Sequence, residues 1–263
     1  MPGTGRTDIL RAMTTPEIAP LHDDLTFHGP LSEERAARLI RGLQPLDEKH
    51  VLDVGCGWAE LLLRTLEAAP TATGTGVDRD AKAIAQAQAN ADARGLTARV
   101  SLHAVDVQQW RPEQPADVVI VNGASQVWGG DPLQHTANAL AAARKLLNPQ
   151  GKLLLGEGFW ERPPTEEQLA AMPIPRDQYG TVADLVDLAH EHGYRLLAVE
   201  QASLDEWDVF ENGHALAWER WLRDNPDSEH ADAVRAKADT QRTYRLRGWR
   251  GTLGLAYLTL QAP

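Results

Sequence analysis

Cysteine, positive charge and long apolar stretches are all scarce in this sequence of 263 residues. The single cysteine, Cys56, excludes an intramolecular disulfide framework and any cysteine-rich zinc site. Lysine and arginine number 26 against 37 aspartates and glutamates, so the net charge is −11. Such a surface repels phosphate backbones and anionic headgroups, which argues against nucleic acids and membranes as partners. No apolar run approaches the ~18 residues typical of a membrane-spanning helix.

A secretory signal is also missing from the first twenty residues. Glycine and proline interrupt this segment, and it contains no continuous apolar stretch. We therefore expect a cytoplasmic protein in which residues 1–30 form a flexible lead-in that could close over a binding site as a lid. The apolar residues, 43% of the chain, are sufficient to bury a core without disulfides.

From residue 32 onward, short apolar runs alternate with helical patterns. Ser32 can cap a first helix, and five strands are then predicted at 50–54, 73–77, 100–104, 117–121 and 152–156. The apolar run DVVIV in the fourth of them is typical of a strand covered on both faces. Four β–α repeats followed by a fifth strand predict an α/β fold with a doubly wound parallel sheet and right-handed crossovers.

The C-terminal part of the chain has a different pattern. Two more strands are predicted, at 196–202 and 252–260, and the charged segment between them is predicted to be mostly helical. This pattern indicates an insertion or cap ahead of the last strand. The expected organisation is a core over 31–204, a helical insertion over 205–250 and the last strand of the core sheet within 251–263.

Acidic residues stand at the ends of three consecutive predicted strands, namely Asp53, Asp78 and Asp106. Ligands of a doubly wound sheet bind at these ends. Gly55 and Gly57 follow the first strand, allow close approach of the backbone, and lead into a helix with free N–H groups. Asp78 lies 21 residues after Gly57, where a carboxylate accepts hydrogen bonds from ribose hydroxyls, and Asp106 can accept from an exocyclic amine. Three acids without a lysine indicate a nucleoside with a cationic tail and no phosphates, although each acid alone could merely cap the next helix.

The segments VLDVGCG, GVDRD, HAVDVQQW, ADVVIVNGAS and LLNPQGKLLLGEGFW resemble the class I S-adenosylmethionine-dependent methyltransferases in order and spacing, over residues 30–160. The resemblance implies a Rossmann-like, seven-stranded, mostly parallel sheet whose antiparallel last strand lies between the fifth and sixth strands. It also implies S-adenosylmethionine as the cofactor. The residues that it places around this cofactor are Asp53, Gly55, Cys56, Gly57, Asp78, Arg79, Asp106, Val107, Asn122 and Gly123. The family's usual third glycine is Ala59 here, which is small enough to be tolerated.

The methyl acceptor is expected above the fourth and fifth strands, beside the sulfonium. The segment Asn122–Ser125 is not the N/D-P-P-aromatic motif of adenine or glutamine N-methyltransferases, and with the negative charge this favours a small-molecule acceptor. Glu157 and His28 are the candidate general bases, although positioning alone could suffice for an acceptor without a proton. We expect no metal and a monomer or homodimer. The predicted substrate pocket consists of Ser125, Trp128, Phe159 and Trp160.

Two other functions stay open at this point. A nicotinamide-dependent Rossmann oxidoreductase is disfavoured because Glu60 stands where its third glycine belongs and Asp53 would repel a diphosphate. A non-catalytic S-adenosylmethionine-binding or scaffolding protein would carry the same motifs, but none of them is degraded here.

Overall fold

A computed structural model of the protein describes residues 24–263, so residues 1–23 of the predicted lead-in lie outside the described part. Seven strands form a single sheet. They are β1 (His50–Val54), β2 (Thr73–Asp78), β3 (Val100–Ala104), β4 (Ala116–Asn122), β5 (Leu147–Trp160), β6 (Arg195–Gln201) and β7 (Leu253–Gln261). Their order is β3-β2-β1-β4-β5-β7-β6, and only β7 runs antiparallel to its neighbours. The predicted fold, with an antiparallel strand between the fifth and sixth, is confirmed.

Helices pack on both faces of this sheet. The α-helices are α1 (Glu33–Leu43), α2 (Glu60–Glu67), α3 (Ala81–Ala93), α4 (His135–Leu146), α5 (Glu166–Ala171), α6 (Val182–Glu191), α7 (Leu204–Asp224) and α8 (Ala231–Thr243). Leu39 of α1, Leu62 of α2 and Ala87 of α3 are buried in the core on one face. Leu140 of α4 and Leu185 of α6 are buried in the core on the other. Within residues 24–263, no helix is both long and apolar enough to cross a membrane.

Strand β5 is much longer than its predicted span of 152–156. It continues to Trp160 because β7 pairs with it antiparallel from Lys152 onward, while β4 on its other edge ends at Asn122. Glu157 was expected at the end of the strand and instead lies inside it, paired with Ala256. The last residues of β5 therefore project beyond the end of β4, and on that side the Trp160 N–H donates to the carbonyl of Gly180 at 2.8 Å.

The predicted helical region before the last strand consists of α7, α8 and a π-helical turn at Tyr244–Trp249. A buried carboxylate fixes its start to the core, because Arg35 Nε of α1 donates to both oxygens of Glu206 at 2.9 Å and the Ser32 N–H donates at 3.0 Å. Burial alone would raise the pKa of Glu206, but the hydrogen bonds from Arg35 and Ser32 outweigh it and lower this pKa to about 2. The inserted helices are thus anchored next to α1.

Candidate active site

The loop after β1 has a backbone that favours glycine. Gly55 and Gly57 have φ values of +72° and +53°. A Cβ at position 55 would lie 2.5 Å from the Cβ of Ala124, so this loop touches the loop after β4 without room for a side chain. Ala59, in place of the usual third glycine, has φ +60° and precedes α2. This conformation costs an alanine roughly 1–2 kcal/mol, and the surrounding fold compensates for it.

Asp78 joins this loop to the end of β2. The Gly57 N–H donates to Asp78 Oδ2 and the Asp80 N–H donates to Asp78 Oδ1, both at 2.9 Å. A carboxylate can accept about four hydrogen bonds, so capacity remains for two hydroxyl donors. The carboxylate therefore fits the predicted role of binding the ribose, and it holds the loop in place as well.

Asp53 occupies a very different environment, since it is only 4% exposed. Burial and the negative charge of Asp78 raise the pKa of Asp53 to about 8. A positive charge placed beside this carboxyl group would favour its ionised form and reverse the shift. Asp53 thus fits the predicted position near the cationic methionine part of the cofactor.

Residues of the predicted adenine site follow β3. The Gln108 N–H donates to Asp106 Oδ1 at 2.8 Å, and the Gln108 side chain donates to the carbonyl of Val127 at 3.4 Å, so this loop reaches the loop after β4. Val107 and Trp110 are partly buried against the core and leave apolar surface exposed. This arrangement suits a flat purine ring that packs on the apolar surface and has the Asp106 carboxylate at its edge.

The other predicted cofactor contacts line the same edge of the sheet. Cys56 is half-buried, and its Sγ lies 2.9 Å from where a Cβ of Gly76 would stand. Arg79 is exposed directly after Asp78, and Gly123 donates its N–H to the carbonyl of Gly156 at 2.8 Å. The loops after β1, β2 and β4 therefore meet at the carboxyl ends of these parallel strands.

Two side chains at the ends of β4 and β5 carry a buried oxygen without a hydrogen-bond partner among the described residues. These atoms are Asn122 Oδ1 and Glu157 Oε2. Asn122 lies over Gly156, where any Cβ would clash with its Oδ1, and Glu157 Oε1 accepts the Gly158 N–H at 2.9 Å. Burial raises the pKa of Glu157, which is 7% exposed, while Ser125 and other nearby groups oppose that rise. The Asn122 side chain lies on the face of the sheet to which a Gly156 Cβ would point, and the Glu157 side chain lies on the opposite face.

The predicted pocket residues are distributed around these two side chains. Ser125 is buried near Glu157, whereas Trp128 is half-buried against the core under the loop after β4. Phe159 lies in the core with its ring packed on Gly254, and the Trp160 indole is buried and donates to the carbonyl of Arg176 at 2.8 Å. The structure therefore brings Ser125 to Glu157 and places Phe159 in the core.

Tyr179 is a residue of this site that the sequence did not indicate. Its ring stands edge-on to Trp160 with 5.6 Å between centroids, and it covers Gly158, where a Cβ would lie 2.7 Å from it. Burial, with a contribution from the charge of Glu157, raises the pKa of the Tyr179 hydroxyl. The chain between β5 and α6 returns over the strand ends, and only this three-dimensional path brings Tyr179 to the carboxylate.

His28 lies against the loop after β1. Its ring stacks on Trp58 with 4.8 Å between centroids, and its Nδ1 lies 3.3 Å from where a Cβ of Gly57 would stand. Leu25, from the same segment, fills the space beside Gly213 of α7. Burial lowers the pKa of His28, although the charge of Asp78 opposes this. The end of the lead-in and α7 together therefore lie over the cofactor loop.

Groups of three or more potential metal-ligating His, Cys, Asp or Glu side chains are absent from residues 24–263.

In comparisons with known proteins, a family model described as a methyltransferase domain matches residues 46–185. The uncharacterized protein YjhP of Escherichia coli is 31% identical over 213 residues, which are 80% of this chain and 84% of YjhP.

Two solved structures of similar proteins contain a ligand. They are S-adenosylmethionine-dependent methyltransferases from Geobacter sulfurreducens and Thiobacillus denitrificans, each in complex with S-adenosyl-L-homocysteine. Both superpose on this chain with a TM-score of 0.81, at 27% and 26% identity. The alignment with the Geobacter protein covers 90% of this chain and 94% of that protein's chain. The alignment with the Thiobacillus protein covers 98% of this chain and 100% of that protein's chain.

Proposed function

This chain belongs to the methyltransferase domain family, and on that premise we propose that it methylates a small molecule bound at the ends of β4 and β5. The cofactor of the family is S-adenosylmethionine. A small-molecule acceptor is supported by the position of residues 25–28 and α7, which together cover the cofactor loop. A covered cleft admits a small acceptor more easily than a macromolecule, and the net charge of −11 disfavours nucleic acid.

The residues of the first three loops supply cofactor binding in this proposal. Asp78 accepts from the ribose hydroxyls, Asp53 faces the positive charge of the methionine part, and Asp106 with Val107 holds the adenine. When bound, S-adenosylmethionine supplies an electrophilic methyl group on its sulfonium. The chain's own residues then orient the acceptor for in-line displacement and exclude water from the cleft.

Glu157 is our candidate for the proton acceptor. Its Oε2 is buried and unpartnered within the described residues, and its raised pKa makes it a stronger base than an exposed carboxylate. His28 stays a second candidate, because it lies in the cover beside Gly57. Which of the two acts depends on where the acceptor carries its proton.

A labelling experiment tests the proposed function. Cell extract would be divided into a dialysable fraction and a macromolecular fraction, and each would be incubated with the protein and S-adenosylmethionine carrying a radioactive methyl group. We expect label in dialysable compounds other than the added S-adenosylmethionine, separated from it by chromatography. Glu157→Gln should lower the rate by ~10²-fold or more, as for a lost general base, while Glu161→Gln, an exposed carboxylate nearby, should leave it unchanged. Label confined to the macromolecular fraction would contradict the proposal.

A further inference from the structure

We propose that β6, the outer strand at one edge of the sheet, pairs antiparallel with β6 of a second copy of this chain. Such pairing does not depend on the proposed function. Strand β6 is the last in the order of the sheet, and no strand of the described residues lies beyond it. Leu197 and Val199 of this strand are 48% and 40% exposed, so two large apolar side chains stand at a free sheet edge.

The two outer strands of the sheet differ in their apolar pattern. In β3, apolar and polar residues alternate, so Val100 and Leu102 pack against the core while Ser101 and His103 are exposed. In β6, the run Leu196–Val199 is entirely apolar, and three of its four residues are exposed. Lysine and proline, which commonly protect a free edge, are absent from β6. Such a sequence is typical of a strand inside a covered sheet and not of an edge strand.

The backbone of β6 is ready to accept a further strand. The Ala202 N–H donates to the carbonyl of Leu255 in β7 at 2.8 Å, so the backbone groups of Ala202 and, two residues earlier, Glu200 point towards β7. The backbone groups of Val199 and Gln201 therefore point away from the sheet. They offer donors and acceptors for another antiparallel strand.

The two faces of β6 favour a second copy as that strand. Its register with β7 puts Arg195 and Glu200 on the face covered by α1, and Leu196 and Val199 on the face covered by α6. Antiparallel pairing about a two-fold axis at Leu197–Ala198 places Arg195 of one copy opposite Glu200 of the other, and Leu196 opposite Val199. Opposite charges thus meet on one face and apolar side chains on the other. The β-bulge of β6 lies at this axis, so both strands bend at the same place.

The local charge also permits this contact. A net charge of −11 makes two copies repel each other over most of their surface. Helix α1, which flanks β6, and β6 itself together carry four arginines and three glutamates, a local charge of +1. Two copies can therefore approach each other at this edge with little repulsion.

Sedimentation velocity at protein concentrations from ~1 to ~100 μM tests the proposal, and we expect a monomer that becomes a dimer as the concentration rises. Val199→Lys should weaken the dimer by ~10-fold or more, because a lysine on an edge strand opposes pairing. The matched control is Val209→Lys, at a 68% exposed position of α7, which should leave the dimer unchanged. Thermal unfolding confirms that each variant is folded. Unmodified protein that stays monomeric throughout, as expected if the edge binds a peptide of another protein, would overturn the proposal, and so would a dimer that is equally stable in Val199→Lys.

A charge reversal and amide exchange test the register. Arg195→Glu would face Glu200 of the second copy and should weaken the dimer severalfold, whereas Arg235→Glu, the same change on the surface of α8, should not. The N–H groups of Val199 and Gln201 should exchange with solvent more slowly at a concentration that gives dimer than in dilute monomer. Equal exchange at both concentrations, or a dimer indifferent to Arg195→Glu, contradicts pairing of the two strands in this register.

Discussion

Asp53 and Asp78, the two carboxylates beside the loop after β1, differ in their surroundings, and the functions that we propose for them follow from that difference. Asp78 accepts two backbone N–H groups and joins two loops, so its negative charge already has partners in the free protein. Asp53 is buried, and its pKa is raised to about 8. A ligand with a positive charge and two hydroxyls would favour the ionised form of Asp53. Its hydroxyls would donate the two further hydrogen bonds that Asp78 can accept.

We predict that Asp78→Ala lowers the affinity for S-adenosylhomocysteine by ~10–100-fold, because hydrogen bonds to a charged acceptor contribute roughly 1.5–3 kcal/mol. The change also removes the partner of the Gly57 N–H. Isothermal calorimetry measures the effect. The control is Asp80→Ala, which removes an equal charge two residues away and costs ~1 kcal/mol as the cap of α3, with little effect on affinity. Unchanged affinity in Asp78→Ala would show that the ribose is held elsewhere.

We predict that Asp53 makes cofactor binding depend on pH. Below about pH 8 its carboxyl group is protonated in the free protein, and a bound ammonium group favours the ionised form. Binding of S-adenosylhomocysteine should therefore release a proton, and affinity should rise with pH up to about 8 and then level off. The raised pKa also means that Asp53 lowers stability progressively from about pH 4 to pH 8.

Calorimetry in two buffers with different ionisation enthalpies measures this proton release at constant pH. Asp53→Asn should bind without releasing the proton. Proton release of the same size in this variant would assign the titration to another group.

At the scale of elements, the contact between α1 and the start of α7 determines how firmly the inserted helices are held. Glu206→Gln should lower the free energy of unfolding by about 2 kcal/mol at pH 7, since Arg35 loses a buried charged partner. With its pKa lowered to about 2, Glu206 contributes fully above about pH 4.5, and its contribution is lost as the pH falls towards 2. Urea unfolding at several pH values should show this loss in the unmodified protein and not in the variant.

The matched control is Glu34→Gln, which removes a carboxylate paired with Arg38 on the surface of α1. The Glu34 side chain is 87% exposed, so this substitution should change stability by less than about 0.5 kcal/mol. Equal effects of Glu34→Gln and Glu206→Gln would contradict a special role for the contact between α1 and α7.

The elements also explain what could be predicted from the sequence. Strand and loop positions around Asp53 and Asp78 follow from local patterns of apolar runs and glycines, which act over a few residues. The extension of β5 to Trp160 depends on pairing with β7, about a hundred residues later, and no local pattern reports it. For the same reason Glu157 was assigned to a strand end and Tyr179 was not predicted for the site. Contacts between distant segments determine both positions.

At the scale of the whole molecule, the end of the lead-in, α7 and the cofactor loop form one unit. Gly213→Ala should weaken S-adenosylhomocysteine binding severalfold, because the new methyl group would lie 2.5 Å from Leu25 Cδ2 and displace the lead-in. Helix α7 itself should gain up to ~1 kcal/mol, because alanine favours helix more than glycine. Calorimetry and thermal unfolding separate the two effects.

The double variant Leu25→Ala/Gly213→Ala tests the same fit. Removal of the leucine side chain makes room for the new methyl group, so the double variant should recover part of the lost affinity. If Gly213→Ala binds S-adenosylhomocysteine like the unmodified protein, the lead-in is not part of the binding unit.

The position of Cys56 gives the molecule a built-in chemical reporter. It is the only cysteine in the chain, and it lies in the loop between Gly55 and Gly57. Burial raises the pKa of its thiol, so alkylation is slow, and a cofactor that covers the loop should slow it further. The rate at which a thiol-reactive dye couples to the protein would then measure how much of the cleft is occupied. Compound collections could be screened for the unknown acceptor in this way, without any assay of turnover.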